Sequence, residues 1–437
     1  MSSGNRKVVR RLLAFAIVMT VLLLLVVVAG VARQLAVPPL PPVDQVPTPP
    51  AMAEVQRGAY LARAGNCASC HTARGGAPYA GGRAIDTPFG QVFAGNLTPD
   101  MQTGIGRWSA DAFWRALHQG QSRDGRLLYP AFPYAQFTRV SREDSDAIFA
   151  FLRSLPPVQQ PNRPHEVRFP YSTQVALAVW RELYFEPADF HPDPSRNTDW
   201  NRGAYLVQGL GHCAACHSPR DALGGVEDGG EFRGGLMPEG GWYAPSLRAT
   251  DEAASTDITV DDVSDLLRAG ISSGATAMGP MAEVVQQSTQ YLTEADRRSV
   301  VEYLLALAEP MASPQPASSK LPPAARYRLG ERIYGLRCAQ CHGEQGEGAV
   351  RDGDGGPAYP PLAGNRAVTM RSPVNAVQAI LGGGFAPVTA DNPQPFGMPP
   401  FRTLLNDQEV AAVASFIRQS WGNQADAVSD LDVHLAR

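Results

Sequence analysis

Hydrophobic and polar positions divide this chain into one long apolar run followed by many short amphipathic stretches. Leu12 to Ala32 form a nearly unbroken 21-residue apolar segment, which at about 1.5 Å per residue spans roughly 31 Å and suffices to cross a bilayer core. Arg6, Lys7, Arg10 and Arg11 precede it, and this positive flank predicts a cytoplasmic N-terminus. Residues 1–11 then read as a cytoplasmic tail and 12–32 as a single-pass anchor, with everything beyond on the periplasmic side of a bacterial inner membrane. A cleaved signal peptide ending at Gly30-Val31-Ala32 is the alternative, but the run is longer than the usual apolar region of such peptides. Val37 to Pro50 carries seven prolines in 14 residues. It predicts a polyproline II spacer within 33–53.

Beyond the spacer, helical periodicity repeats three times. Each repeat opens with a short amphipathic segment: Arg57-Gly58-Ala59-Tyr60-Leu61, Arg202-Gly203-Ala204-Tyr205-Leu206, and Leu329-Gly330-Glu331-Arg332-Ile333-Tyr334. A middle helix is predicted from Ser109 to Gly120, Thr259 to Gly270 and Ser372 to Gly382, bounded by cap-forming residues and glycine. A last helix starts at Ser141, Thr293 and Asn406 with an acidic residue three positions on, the pattern of a capping box. Its apolar stripe falls at helical spacing: Ile148, Phe151, Leu152, Leu155; Val300, Val301, Leu304, Leu305; Val410, Val413, Ile417. Proline-rich joints separate the repeats. The predicted units are 54–157, 200–308 and 325–437, with connections at 158–199 and 309–324. The first connection carries a predicted helix around Val175 to Leu183 and the aromatics Trp180, Tyr184 and Phe185, so it should pack; the second reads as a plain linker.

The six cysteines assign chemistry to the repeats. They occur only as Cys67-Ala68-Ser69-Cys70-His71, Cys213-Ala214-Ala215-Cys216-His217 and Cys338-Ala339-Gln340-Cys341-His342, spaced 146 and 125 residues apart. This is the attachment signature of c-type haem: two thiols form thioethers to the vinyl groups, and the adjacent histidine takes the proximal iron position. No cysteine pair is left to complete a zinc or iron–sulfur site. The fold class that follows is mainly α, three tandem class I-like cytochrome c domains behind an N-terminal transmembrane helix, with three covalently bound haem c. Gly 42 and Pro 38 make the chain rich in turns, which a covalently held porphyrin allows by supplying apolar surface. The formal charge of −4 argues against a nucleic-acid partner. Lys7 and Lys320 are the only lysines, so any cationic docking surface must be built from arginine.

A haem that only relays electrons usually has both axial positions filled, and methionine raises its potential relative to a second histidine. Met398, in Pro395-Phe396-Gly397-Met398-Pro399-Pro400, lies 56 residues after His342 and is the sixth-ligand candidate for the third haem. Met281, 64 residues after His217 and directly after a proline, is the candidate for the second; Met278 is its neighbour with a packing role. In the first unit the corresponding slot, Tyr129 to Tyr134, holds Phe132, which cannot ligate iron. Met101 and His118 are the substitute candidates, and a five-coordinate or water-ligated iron is the third option. His165 and His191 read as exposed loop residues. His212 could hydrogen-bond a propionate or be solvated.

The chain resembles the tri-haem cytochrome c subunit of bacterial membrane-bound dehydrogenase complexes that oxidise alcohols, gluconate, sorbitol or aldehydes. The resemblance runs from about residue 54 to the C-terminus. It is carried by Arg57 to Leu61, Asn96-Leu97-Thr98-Pro99-Asp100 with Gly104-Ile105-Gly106-Arg107-Trp108, the Tyr129 to Tyr134 box, Gly209-Leu210-Gly211-His212-Cys213, Gly279 to Val285 and Trp421-Gly422-Asn423. It implies a separate catalytic dehydrogenase subunit of molybdenum, quinoprotein or flavin type, a small iron–sulfur protein as a further partner, and ubiquinone or the terminal respiratory chain as acceptor. Many members carry methionine where this chain has Phe132; the phenylalanine form resembles subunits paired with molybdenum-containing aldehyde or N-heterocycle dehydrogenases. The sequence has no dinucleotide fingerprint, so substrate chemistry belongs to the partner and this chain is not expected to be catalytic alone. Two other readings remain open: an open haem 1 with peroxidase- or reductase-like activity, and an electron carrier to an oxidase.

Overall fold

The computed structural model describes residues 3–43, 50–237, 241–248, 259–272, 274–307, 321–350 and 357–437. The expected linker over 309–324 and the middle of the proline-rich spacer lie largely outside the described residues. Helix α1 (Ser3–Leu35) contains the apolar run. Its stretch Arg11–Leu35 is long and apolar enough to cross a membrane.

Three helical units follow. The first has α2 (Met52–Ala64), α3 (Cys67–His71), α4 (Ala110–Gln119), α5 (Tyr134–Phe137) and α6 (Arg142–Ser154). A hairpin of β1 (Ala84–Thr87) and β2 (Gly90–Phe93) is extended by β3 (Glu166–Val167), all antiparallel. Helix α7 (Gln174–Tyr184) lies in the first connection. The second unit has α8 (Thr198–Tyr205), running on into a π turn at Leu206–Leu210, then α9 (Val260–Ala269), α10 (Pro280–Gln287) and α11 (Glu294–Ala306). The third has α12 (Ala324–Arg337), α13 (Ala339–His342), α14 (Arg366–Thr369), α15 (Val374–Gly382), α16 (Asp407–Gln419) and α17 (Asp430–Ala436).

In every unit the first and last helices cross: α2 on α6, α8 on α11, α12 on α16. A glycine sits at each crossing. A Cβ added to Gly58, Gly203 or Gly330 would lie 1.8, 1.9 or 2.2 Å from the carbonyl oxygen of Ala147, Ser299 or Ala412. The backbones can therefore touch only without a side chain there. The Cβ of the residue one turn later, Phe151, Tyr303 or Phe416, closes the other side of each crossing at 2.9, 2.8 or 2.8 Å from that added Cβ. The helix ends follow the sequence: Ser109, Thr259, Ser141, Thr293 and Asn406 all accept an N–H of the first turn, and Gly120 and Gly270 adopt left-handed C-caps. The third middle helix starts later than predicted, with Pro373 at its cap.

Units one and two share one buried core, which joins Leu61, Ile148 and Leu152 to Leu206, Val207 and Val301. Unit three has its own, built on Val377, Leu381, Val410, Val413 and Val433. The predicted capping boxes divide the units in the same way. Unit three forms the full box, with Glu409 bonded back to the Asn406 N–H. In units one and two the acidic residue is diverted across the interface. Tyr205 of unit two donates to Asp144 at 2.5 Å and accepts the Ser141 N–H at 3.1 Å. Tyr60 of unit one reciprocally donates to Asp296 at 2.5 Å and accepts the Thr293 N–H at 3.3 Å. Arg57 and Arg202 hold the same two carboxylates from within their own units. The repeated Arg-Gly-Ala-Tyr thus caps the last helix of the other unit, a pseudo-twofold exchange. Leu329 and Arg332 replace its Arg and Tyr in unit three.

The first connection packs, as its aromatics predicted. Trp180 donates to the Leu223 carbonyl at 3.1 Å, Tyr184 to Asp221 at 2.6 Å, and Phe185 meets Tyr134 edge-on.

Candidate haem sites

Each Cys-x-x-Cys-His segment forms a single helical turn: α3, a 3-10 turn at Cys213–Ala215, and α13. Asn66 (φ 53°) and His212 (φ 40°) enter the first two turns in the left-handed region. The turn carries both cysteines, which as whole residues are partly exposed, and brings the histidine to its end. In all three the ring Nδ1 donates to a backbone carbonyl: His71 to Gly95 at 2.7 Å, His217 to Pro245 at 2.7 Å and His342 to Pro360 at 3.0 Å. With Nδ1 engaged, the remaining lone pair is on Nε2, the arrangement of an oriented metal-binding imidazole. Burial holds all three rings below the ordinary histidine pKa against the raising effect of those carbonyls, so they are neutral and able to ligate at pH 7.

The thiols point the same way. Burial, assisted by the neighbouring cysteine, pushes Cys67 and Cys213 up to about 12 and Cys338 up to about 11. A nucleophilic redox thiol is marked by the opposite shift. Thioethers do not ionise, and so suit a buried setting. The residues present therefore fit a covalently held haem in each unit.

Met281 is the second residue of α10, half-buried against the shared core. Gly279 (φ 53°) lets the chain turn tightly beneath Trp242 just before it. Met398 ends β9 (Gly397–Met398), which pairs with β8 (Gly384–Phe385), and packs on the unit-three core; β4 (Gly235–Leu236) with β5 (Tyr243–Ala244), and β6 (Ala349–Val350) with β7 (Pro357–Tyr359), form two further short antiparallel pairs. Ring contacts from His342 to Tyr359 (6.5 Å) and from Tyr359 to Phe396 (5.0 Å) bring the Met398 loop to the same side of the unit as the proximal histidine. Met278 is half-buried.

In unit one Phe132 packs against Phe137 at 5.4 Å and Tyr134 at 6.3 Å. Met101 is 37% exposed, in a turn organised by the Asp100 carboxylate. His118 stacks on Trp114 at 4.5 Å, and its Nδ1 is buried with no hydrogen-bond partner among the described residues. His191 is exposed. His165 is not: it accepts the Phe93 N–H and meets Tyr129 edge-on, because β3 draws this stretch onto the hairpin. His212 packs against Phe137, and burial lowers its pKa against a hydrogen bond to the Gly65 carbonyl.

Several residues that position these sites were not predicted from the sequence. Arg83 reaches the Ser69 carbonyl inside the first haem motif at 2.7 Å and forms a bidentate pair with Glu283, two residues beyond Met281. Helix α10 accordingly contacts α3, while α5 contacts the π turn that leads into the second motif. On its other side, unit two meets unit three: Arg366 donates to the Ser246 carbonyl at 3.1 Å, next to the residue that holds His217, and Asn375 makes two 2.8 Å bonds with the Tyr243 backbone. The one sequence signal for the exchange between units one and two was the near-identity of Arg57 to Leu61 with Arg202 to Leu206.

The family model for cytochrome c matches residues 55–156, 201–308 and 327–421. This chain belongs to the cytochrome c family. The cytochrome is 38% identical over 391 residues to the cytochrome c subunit of a quinone alcohol dehydrogenase from Gluconacetobacter polyoxogenes, covering 85% of this chain and 81% of the relative. It is 36% identical over 387 residues to a gluconate 2-dehydrogenase cytochrome c subunit from Pantoea cypripedii, covering 85% and 87%. It is also 40% identical over 378 residues to one of the subunits of nicotinate dehydrogenase from Pseudomonas putida, covering 85% of this chain but spanning only 31% of that protein. The cytochrome is thus of the kind that serves dehydrogenase complexes.

Proposed function

We propose that this cytochrome is the membrane-anchored electron-transfer subunit of a dehydrogenase complex, with three tandem haem domains on the periplasmic side. One observation carries the reading: the same proximal constellation, a Cys-x-x-Cys-His turn with its histidine Nδ1 on a backbone carbonyl, is built three times. When bound, the haems supply one-electron ferric/ferrous centres. Cys67 and Cys70, Cys213 and Cys216, and Cys338 and Cys341 would hold them, and His71, His217 and His342, with Nδ1 on a carbonyl, would ligate the iron through Nε2. Met281 and Met398 would supply a thioether sulfur as the second axial donor in units two and three.

Unit two is central. Its helix α10 rests on the first haem motif, and the loop that holds His217 rests on unit three. Substrate oxidation falls to a separate catalytic subunit, and ubiquinone or the terminal respiratory chain takes the electrons. Nicotinate, named in one relative, is an N-heterocycle, the substrate class to which Phe132 points; this favours a molybdenum-type partner over a quinoprotein or flavin one, with an iron–sulfur protein linking that partner to the haems. Purification from membranes tests this. A co-purifying dehydrogenase chain whose substrate reduces all three haems supports it; a tri-haem chain isolated alone and reduced only by quinol points to a carrier between a quinol-oxidising complex and an oxidase.

A second reading rests on Phe132, which offers no donor atom. If neither Met101 nor His118 binds iron, haem 1 is open and supports peroxidase- or reductase-like chemistry. The ferrous protein would then bind carbon monoxide at one haem of three and turn over peroxide. Absence of both results ends that reading.

A further inference from the structure

We propose that α7 is an interfacial helix that lies in the bilayer surface beside the exit of the membrane anchor. The inference rests on reading α1 as a membrane span. The last turns of α1 pack directly on α7: Val31 joins Leu127, Leu177, Ala178 and Tyr129 in a small separate core. Gln34 donates to Glu182 at 2.7 Å and accepts from Arg181 at 2.9 Å, and Arg33 lies 3.3 Å from the same Glu182 carboxylate. A Cβ on Gly30, still inside the apolar run, would meet the Glu182 carboxylate at 2.8 Å. Helix α7 is therefore held against the end of the span itself, within about one helix diameter of the bilayer edge, roughly 10 Å.

At that level α7 is apolar on two faces. Leu177, Ala178 and Arg181 are buried toward the protein. Val175, Val179 and Leu183, at i, i+4 and i+8, face outward and are 54%, 36% and 60% exposed. Phe169, 82% exposed, and Tyr171 extend the patch just before the helix. The carboxylate on this outer face, Glu182, is offset by Arg33 and Gln34. Exposed Arg33 and Arg168 border the patch and suit anionic headgroups. An apolar stripe with aromatic and arginine flanks, fixed at the mouth of a span, matches the physics of a helix lying in the headgroup boundary. Insertion would orient the haem units relative to the membrane, together with the start of the spacer, where Leu40 donates to the Arg123 carbonyl at 2.8 Å and Val43 to that of Arg107 at 3.0 Å.

The test uses full-length holo-protein in phosphatidylethanolamine–phosphatidylglycerol vesicles that contain a phospholipid with a photoreactive diazirine near the glycerol end of its acyl chain. After illumination, peptide mass spectrometry locates lipid adducts. Adducts on both α1 and the Val175–Leu183 peptide are expected. Val179→Glu with Leu183→Glu, both at exposed positions, should cut α7 labelling about tenfold and leave α1 labelling unchanged. Labelling of α1 with α7 no higher than α16 overturns the proposal and leaves the anchor intact. Labelling of neither overturns the anchor reading and the proposal with it.

Discussion

Replacing Tyr205 with phenylalanine deletes one oxygen in unit two and should be felt in unit one. That hydroxyl bonds Asp144 at 2.5 Å and receives the Ser141 N–H at 3.1 Å. The Asp144 side chain is 5% exposed and keeps Arg57 on its other oxygen at 2.6 Å. Losing a hydrogen bond to a buried charged group costs about 1.5–3 kcal/mol, and the stranded N–H about 1 more. We expect a total near 3 kcal/mol for Tyr205→Phe. Tyr60→Phe should cost less, about 2 kcal/mol, because both Asp296 oxygens keep Arg202 at 2.8 Å. The two networks lie side by side, so the double variant should not be additive. Native-state hydrogen exchange read by mass spectrometry is the assay, since it reports each unit separately. Tyr205→Phe should lower protection in the first turn of α6 about a hundredfold while α16 stays unchanged. Protection of α6 equal to wild type, or loss confined to α8 and α11, would refute the exchange of caps between units.

The same interface should respond to acid. Burial works against ionisation of Asp296, but hydrogen bonds from Arg202 and Tyr60 and the Arg202 charge outweigh it and hold its pKa below the ordinary value. Its contribution is therefore complete at neutral pH and is lost as pH falls through that depressed value, below about 4; exchange protection in α11 that is independent of pH between neutrality and pH 3 would contradict this. Gly203→Ala should cost about 3 kcal/mol or more, because its Cβ would overlap the Ser299 carbonyl; a thermal midpoint equal to wild type would show that the helices cross elsewhere. Met398→Ala should lower the potential of one haem of three and abolish one share of the thioether-to-ferric charge-transfer absorption, as spectroelectrochemistry would read; three unchanged potentials would remove Met398 as a ligand.

Local signals in the sequence carried well into the structure where the interaction is local. Ser109, Thr259, Ser141, Thr293 and Asn406 cap the helices they precede, since a side-chain oxygen needs only the N–H three residues on. The helix around Val175 to Leu183 forms because its inner face, Leu177 and Ala178, finds Leu127 and the end of α1. Long-range choices were hidden. Nothing near Asp144 or Asp296 announces that its partner is a tyrosine 61 or 236 residues away. Glu409, in the same local pattern, turns back on its own cap; among the described residues no tyrosine of another unit is bonded to it. His165 reads as exposed in the sequence for a similar reason: its burial depends on a third strand only two residues long. The haem motifs were legible because covalent attachment needs a fixed local spacing, whereas the carbonyls that orient their histidines lie 18 to 28 residues on.

The most direct test of the central claim is the mass of the intact mature chain under denaturing conditions. Three covalently attached haems predict a polypeptide mass increased by three tetrapyrroles that persist through acid–acetone extraction. A mass matching the bare polypeptide, with six alkylatable thiols, would contradict it.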